Sequence, residues 1–373
     1  MSGGRIRVMV VDDSAFMRKL IPAILARDPE IAVAGTAMDG LFALQKVGRL
    51  RPDVITLDLD MPRMDGLETL RHLVVQHGIP VLVLSALSQK GALLTMQALE
   101  LGAVDFLAKP RGAGMEGLES LADELIAKVK MAARVAPQPI NHRGLRSAEC
   151  GTQLPETSNP QSAIRNPQSK AVAAERVLAI GVSTGGPQAL SSLLSRLPQD
   201  FPAGILVVQH MPEGFTRMFA ERLAHMSPLE VREAQEGDLV LAGRVLIAPG
   251  NQHLTVVQKR LGVVAAVRGG AEVNGHRPSA DVLFGSVAAV YGARATGLVM
   301  TGMGDDGAEG LRQIKAAGGT TLAQSETSCV VPGMPRAAIE RGVVDRVLPL
   351  EGLAQSLMDL YGRGGKQDGA DAG

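Results

Sequence analysis

Apolar residues in this chain fall into short runs separated by helix-length amphipathic segments. In the first half, "IRVMVVDD", "AVAG", "DVITLDL", "PVLVLSA" and "AVDFLAKP" read as five buried strands. "AFMRKLIPAILAR" between the first two has helical spacing, with Ser14 as its expected cap. "EGLESLADELIAKVKMAA" closes the half as an amphipathic helix. Strands that alternate with helices in this way predict a parallel, doubly wound sheet. The second half repeats the pattern. "RVLAIGVS", "GILVVQHM" and "GLVMTGMGDDG" are too apolar to face water on either side, and helical segments follow each. "RVLIAPGNQHLTVVQ" and "LGVVAAVR" read as an antiparallel pair with Gly and Asn at the turn. Between the halves, residues 133–174 are rich in Pro, Asn, Gln and Ser without periodicity. Such a segment buries too little apolar surface to offset its ordering entropy. The expectation is an α/β chain of two doubly wound domains with mainly parallel sheets. They cover 1–132 and 175–363, joined by a flexible linker at 133–174 and followed by a flexible tail at 364–373.

Composition narrows the function classes. A chain of 373 residues exceeds one typical hydrophobic core. Lys plus Arg and Asp plus Glu are both 38, so no global field favours nucleic acid or an anionic membrane. There is no Trp and there are only two Tyr, which argues against a base-stacking surface. Cys150 and Cys329 form neither a metal-ligand pair nor a disulfide framework, which fits a reducing cytoplasm. The N-terminus lacks a secretory apolar region, and no apolar run reaches the ~18 residues of a membrane helix.

The strands of the first half end in chemistry. Asp12 and Asp13 follow strand one, Asp58 ends strand three, Ser85 ends strand four, and Lys109 precedes Pro110 after strand five. Carboxyl ends of neighbouring parallel strands converge on one crevice. Three carboxylates there repel one another unless a hard divalent cation sits among them. A hydroxyl and an ammonium at the same edge can hold phosphate oxygens. Residues 5–128 resemble the flavodoxin-like receiver domain of two-component response regulators. The resemblance implies Asp58 as the phosphorylated aspartate. It implies Asp12, Asp13 and Asp58 as the Mg²⁺ site, with the carbonyl of Leu59 or Asp60 as a further ligand. Ser85, Phe106 and Lys109 become the switch hydroxyl, switch aromatic and phosphate-binding lysine. Asp60 competes with Asp58, which is preferred because it ends the apolar run.

In the second half "GVSTGGPQ" raises three readings for Ser183: phosphate loop, helix cap or nucleophile. A phosphate loop of the Walker type needs a Lys that this segment lacks. A cap by Ser183 or Thr184 is compatible with catalysis. A nucleophile needs a base and a group that orients the base. Ser183, His210 and the Asp305–Asp306 pair all lie just past strand ends, where α/β sheets place reacting groups. His225, His253 and His276 are rival bases, but only His210 ends a buried run. "GVSTGGP", "VVQHMP", "IAPGNQHL", "HRPSADVLF", "TGMGDDG" and "SCVVPGMP" together resemble the methylesterase domain of the CheB family, with a Rossmann-like sheet. That resemblance implies Ser183 as nucleophile, His210 as base, Asp306 as orienting acid and the Met303 N–H in the oxyanion hole. Asp305 stands where the family commonly has an amide, so spacing leaves the two acids open. The implied function is hydrolysis of glutamate methyl esters on chemoreceptors, and deamidation of glutamines, without a cofactor for the esterase step. The implied partners are methylated chemoreceptors and a sensor histidine kinase of the chemotaxis type; neither nucleic-acid binding nor membrane insertion is expected. The rival is a non-enzymatic response regulator whose second domain only binds a partner.

Overall fold

The computed structural model describes residues 4–109, 115–135 and 172–362. Most of the predicted linker, Cys150 and the predicted tail lie outside the described residues. The first domain is built from β1 (Ile6–Val11), α1 (Met17–Leu25), β2 (Ile31–Ala37), α2 (Gly40–Leu50), β3 (Val54–Asp58), α3 (Gly66–His77), β4 (Val81–Ser85), α4 (Gln89–Glu100), β5 (Asp105–Ala108) and α5 (Met115–Ala132). The strands pair in parallel in the order β2-β1-β3-β4-β5. Every residue of β3 and of β4 is buried, as continuous apolar runs require when helices cover both faces. Ser14 does not flank α1. Phe16 does, without a side-chain cap, and Ser14 Oγ accepts from Met17 N–H at 3.4 Å. α2, α3 and α4 are capped by Asp39, Asp65 and Ser88, whose side chains take otherwise unpaired N–H groups of the first turn.

The second domain holds β6 (Val177–Val182), α6 (Gly186–Leu194), β7 (Gly204–Gln209), α7 (Phe215–Met226), β8 (Glu230–Glu233) and β9 (Arg244–Ile247). It continues with β10 (His253–Lys259), β11 (Gly262–Arg268), α8 (Ala280–Tyr291), β12 (Ala295–Val299), α9 (Ala308–Ala316), β13 (Thr320–Gln324), α10 (Gly333–Glu340), β14 (Arg346–Leu348) and α11 (Leu350–Gly362). Seven strands form one parallel sheet, β14-β13-β12-β6-β7-β9-β8. The expected antiparallel pair is displaced. "RVLI" is β9 and belongs to the large sheet, while β10 and β11 form a separate hairpin turning at Arg260–Leu261. The Gly250–Asn251 turn breaks the run into two strands, which hydrophobicity alone does not separate. Residues 172–174, at the end of the predicted linker, bond to the second domain through Ala173–Leu241 pairing and Ala174 N–H to Val240 O at 3.1 Å.

In both sheets the strand order reverses beside the first strand of the domain. The reversal lies between β1 and β3 in one, and between β6 and β12 in the other. Crevices open at such points, beyond the carboxyl ends of the strands.

Candidate active site

At the second reversal, β6 delivers Ser183, β7 delivers His210, and the loop after β12 delivers Met303 and Asp306. His210 N–H bonds Val182 O at 3.1 Å, and Ser183 N–H bonds Thr301 O at 3.0 Å, so sheet pairing continues past the strand ends. Neither Ser183 nor Thr184 caps α6. Gly185 flanks it at φ 77°, a conformation that costs glycine little. Gly302 is required for packing here: a Cβ would stand 2.8 Å from Ser183 Cβ and 2.3 Å from Met334 Sδ.

His210 Nε2 lies 2.8 Å from Asp306 Oδ2. Nδ1 of His210 is buried and has no described hydrogen-bond partner. Asp306 is only 1% exposed. Burial pushes its carboxyl up, but the His210 bond and charge, Ala280 N–H and the Ser279 hydroxyl overcome this and hold it down at about 2. The donors stand at 2.6 Å (Ala280 N), 2.7 Å (Ser279 Oγ) and 3.1 Å (Asp281 N). The two adjacent acids differ in their partners, and only Asp306 bonds His210. Asp305 is exposed and pairs with Arg341. Among the rival bases, His253 is tied by Nε2 to Ala271 O at 2.9 Å and by Nδ1 to Ser279 N–H at 3.3 Å. His225 is exposed in the last turn of α7. His276 stacks on His210, with ring centroids 3.8 Å apart.

In the first-domain crevice, ligand oxygens of Asp12, Asp13 and Asp58 lie within 4.8 Å of one another. Lys109 Nζ bridges Asp12 Oδ2 at 2.9 Å and Asp58 Oδ2 at 2.8 Å. Burial raises the Asp58 carboxyl above its ordinary range against the pull of Lys109. Asp60 points elsewhere, to Lys90, and is exposed. Ser85 Oγ donates to Gly91 O at 3.0 Å.

A family model described as CheB methylesterase matches residues 178–357, and one described as response regulator receiver domain matches 8–118. A Koribacter versatilis protein named protein-glutamate methylesterase/protein-glutamine glutaminase 2 is 52% identical over 358 residues, 95% of each chain. The chain belongs to the CheB methylesterase family. A Pyrococcus horikoshii protein named protein-glutamate methylesterase/protein-glutamine glutaminase is 44% identical, covering 95% of this chain and 94% of its own. The crystal structure of the Thermotoga maritima CheB methylesterase catalytic domain is 40% identical. It covers 50% of this chain and 98% of that one, with a TM-score of 0.49. The two family models and the Koribacter versatilis and Pyrococcus horikoshii relatives support the enzyme reading over the partner-binding module.

The candidate site is not open to solvent on all sides. A cavity of about 410 Å³ has Ser183, His210 and Met303 on one wall and the receiver residues Phe106, Ala108 and Lys128 on the other. Phe106, the expected switch aromatic, is buried and stacks on Phe215 of α7, centroids 4.9 Å apart and planes 11° from parallel. Asp105 Oδ2 accepts from Thr184 Oγ1 at 2.6 Å and from Lys128 Nζ at 2.9 Å. Gln188 Nε2 donates to Leu99 O at 2.6 Å, and Glu100 pairs with Arg222. Sequence reasoning gave no role to Asp105 or Ser279, and read Thr184 only as a possible cap and His276 only as a rival base. Ser279 and His276 stand in "HRPSADVLF", a segment that carried the family resemblance without pointing to an Asp306 donor or a ring on His210. Asp105 left no signal, because its partner is 79 residues away. No helix of the described residues is long and apolar enough to cross a membrane.

Proposed function

We propose that this chain hydrolyses glutamate γ-methyl esters on chemoreceptor helices, and deamidates glutamines there, under control of its receiver domain. The observation that carries the chemistry is the buried His210–Asp306 bond beside Ser183. Ser183 Oγ attacks the ester carbonyl and its proton passes to His210. Nε2 is committed to Asp306, so Nδ1 is the nitrogen left to accept that proton. Asp306 holds the tautomer and stabilises the imidazolium. The Met303 N–H, which donates to no described acceptor, stabilises the oxyanion, a contribution of ~10²–10³ in rate for one such donor. Collapse breaks the C–OMe bond and His210 returns the proton, releasing methanol. Water, deprotonated by His210, then cleaves the acyl-serine to free glutamate. In the deamidation ammonia leaves instead.

Control rests on the receiver wall of the cavity. Asp12, Asp13 and Asp58 offer the oxygen-only set that suits Mg²⁺, which would neutralise charge on the transferring phosphoryl group. Phosphate on Asp58 adds acceptors and about −1.5 to −2 charge. Lys109 and Ser85 would turn to it. Phe106 then leaves Phe215, and the Asp105–Thr184 bond beside the nucleophile breaks. The partners in this reading are methylated chemoreceptors and a sensor histidine kinase of the chemotaxis type, which places the chain in the cytoplasm. Methanol release from methylated receptor membranes tests the chemistry. Ser183→Ala should abolish it while far-UV circular dichroism stays unchanged. Turnover retained in that variant would overturn the reading.

A further inference from the structure

One hydrogen bond does not orient an imidazole. A ring held only through Nε2 can still tilt about that bond, and Nδ1, the nitrogen assigned to take the Ser183 proton, would move with it. The structure supplies a second constraint in the segment 273–281. Val273 and His276 exchange backbone bonds at 3.1 and 3.0 Å around a two-residue turn. Asn274 and Gly275 occupy that turn at φ 54° and 74°, the conformation Asn-Gly adopts most readily. Asn274 Nδ2 bonds Asp281 Oδ2 at 2.6 Å and reaches Asp306 Oδ1 at 3.4 Å. Ser279, Ala280 and Asp281 bind the same Asp306 carboxylate. The segment that holds the acid thus also presents His276, whose ring lies 15° from parallel to His210.

We infer that His276 is a positioning residue, whose ring face seats the His210 imidazole with Nε2 on Asp306 and Nδ1 free for Ser183. Three observations support a role for the face and not for the nitrogens. His276 makes no side-chain hydrogen bond to a described residue. Its ring overlaps His210 closely. Burial, reinforced by His210, pushes its protonation down to about 4, so it does not compete for the proton that Ser183 gives up. The inference rests on the esterase reading of Ser183, His210 and Asp306.

The test uses the full chain with acetyl phosphate and Mg²⁺, measuring methanol release against receptor-membrane concentration. His276→Ala should lower kcat about 10²-fold with KM nearly unchanged, the size expected when a reacting group loses its alignment. His276→Phe keeps a flat ring without nitrogens and should restore most of the lost kcat. If His276→Ala does not fold, His276→Leu, which fills space without a flat ring, takes its place and should stay as slow. Wild-type kcat in the Ala or Leu variant overturns the inference. So does a Phe variant no faster than Ala, or a loss that falls on KM. Ser183→Ala run alongside separates the two ideas. Activity there sinks the esterase reading, whereas an inactive Ser183→Ala beside a fully active His276→Ala sinks the positioning role alone.

Discussion

The receiver crevice and the candidate site of the methylesterase domain occupy the same place in two similar sheets, yet they are assembled differently. In the receiver, the strand ends do nearly all the work. Asp12, Asp58, Ser85 and Lys109 all lie at or just beyond the ends of β1, β3, β4 and β5, and one lysine spans two acids. In the methylesterase domain the strand ends bring Ser183, His210 and Asp306 together, but they do not hold them. Asp306 is fixed by the α8 N-terminus and Ser279, His210 carries a second ring on its face, and another domain closes the cavity. The difference follows from the chemistry. A bound cation would draw the convergent carboxylates into place by charge, and a phosphate would do the same to the lysine. A proton transfer between neutral groups has no such field and needs geometry imposed from outside the sheet.

The strongest way to break this contrast is at Asp306. Asp306→Asn should lower kcat by ~10⁴, the defect of a base left in the wrong tautomer. Asp305→Asn, which removes only a surface pair with Arg341, should stay within about threefold of wild type, since exposed pairs contribute little. Steady-state methanol release measures both, and equal defects would mean that burial does not distinguish the two acids.

Next in size is the interdomain contact. Asp105→Asn weakens a charge-assisted bond to Thr184; bonds of this type contribute ~1.5–3 kcal/mol. Basal turnover of the unphosphorylated chain should rise about tenfold, because 1.4 kcal/mol is a tenfold change in the closed-to-open ratio. A basal rate no higher than wild type would show that this bond does not keep the site closed. Asp58→Asn should remove the stimulation by acetyl phosphate and Mg²⁺ in the same assay. Stimulation that persists would move the acceptor away from Asp58, to a residue such as Asp60.

The smallest expected effect concerns pH. Asp306 is held below the ordinary carboxylate range, so its contribution to stability is complete above about pH 4 and is lost as pH falls through about 2. Thermal unfolding of Asp306→Asn should therefore lack the part of the acid destabilisation that wild type shows between about pH 4 and 2. Parallel curves for the two proteins would mean the carboxylate is not specially stabilised by its donors. The Asp58 carboxyl, raised by burial, should show no such protection.

Sequence alone determined the two sheets, the acidic crevice and the placing of Ser183 and His210 just past neighbouring strand ends. Period and run length report burial, and a parallel sheet sends the ends of its strands to one edge, so a residue's place in the run gives its place in the site. That logic also chose Asp58 over Asp60, because only one of them closes an apolar strand. It did not separate β9 from β10, since a turn inside a long apolar run leaves the hydrophobic pattern intact. It could not choose between Asp305 and Asp306, which are adjacent in the chain and face opposite ways. The 1% exposure of one and the Arg341 partner of the other are tertiary facts. The stacking of His276 on His210, the cradle from Ser279 to Asp281, and the Asp105–Thr184 bond belong to the same class. Each joins residues tens of positions apart through a short-range contact whose geometry no local periodicity encodes. Packing decided them, because a hydrogen bond or a ring contact depends on tenths of an ångström and hydrophobic patterning acts at the scale of whole elements.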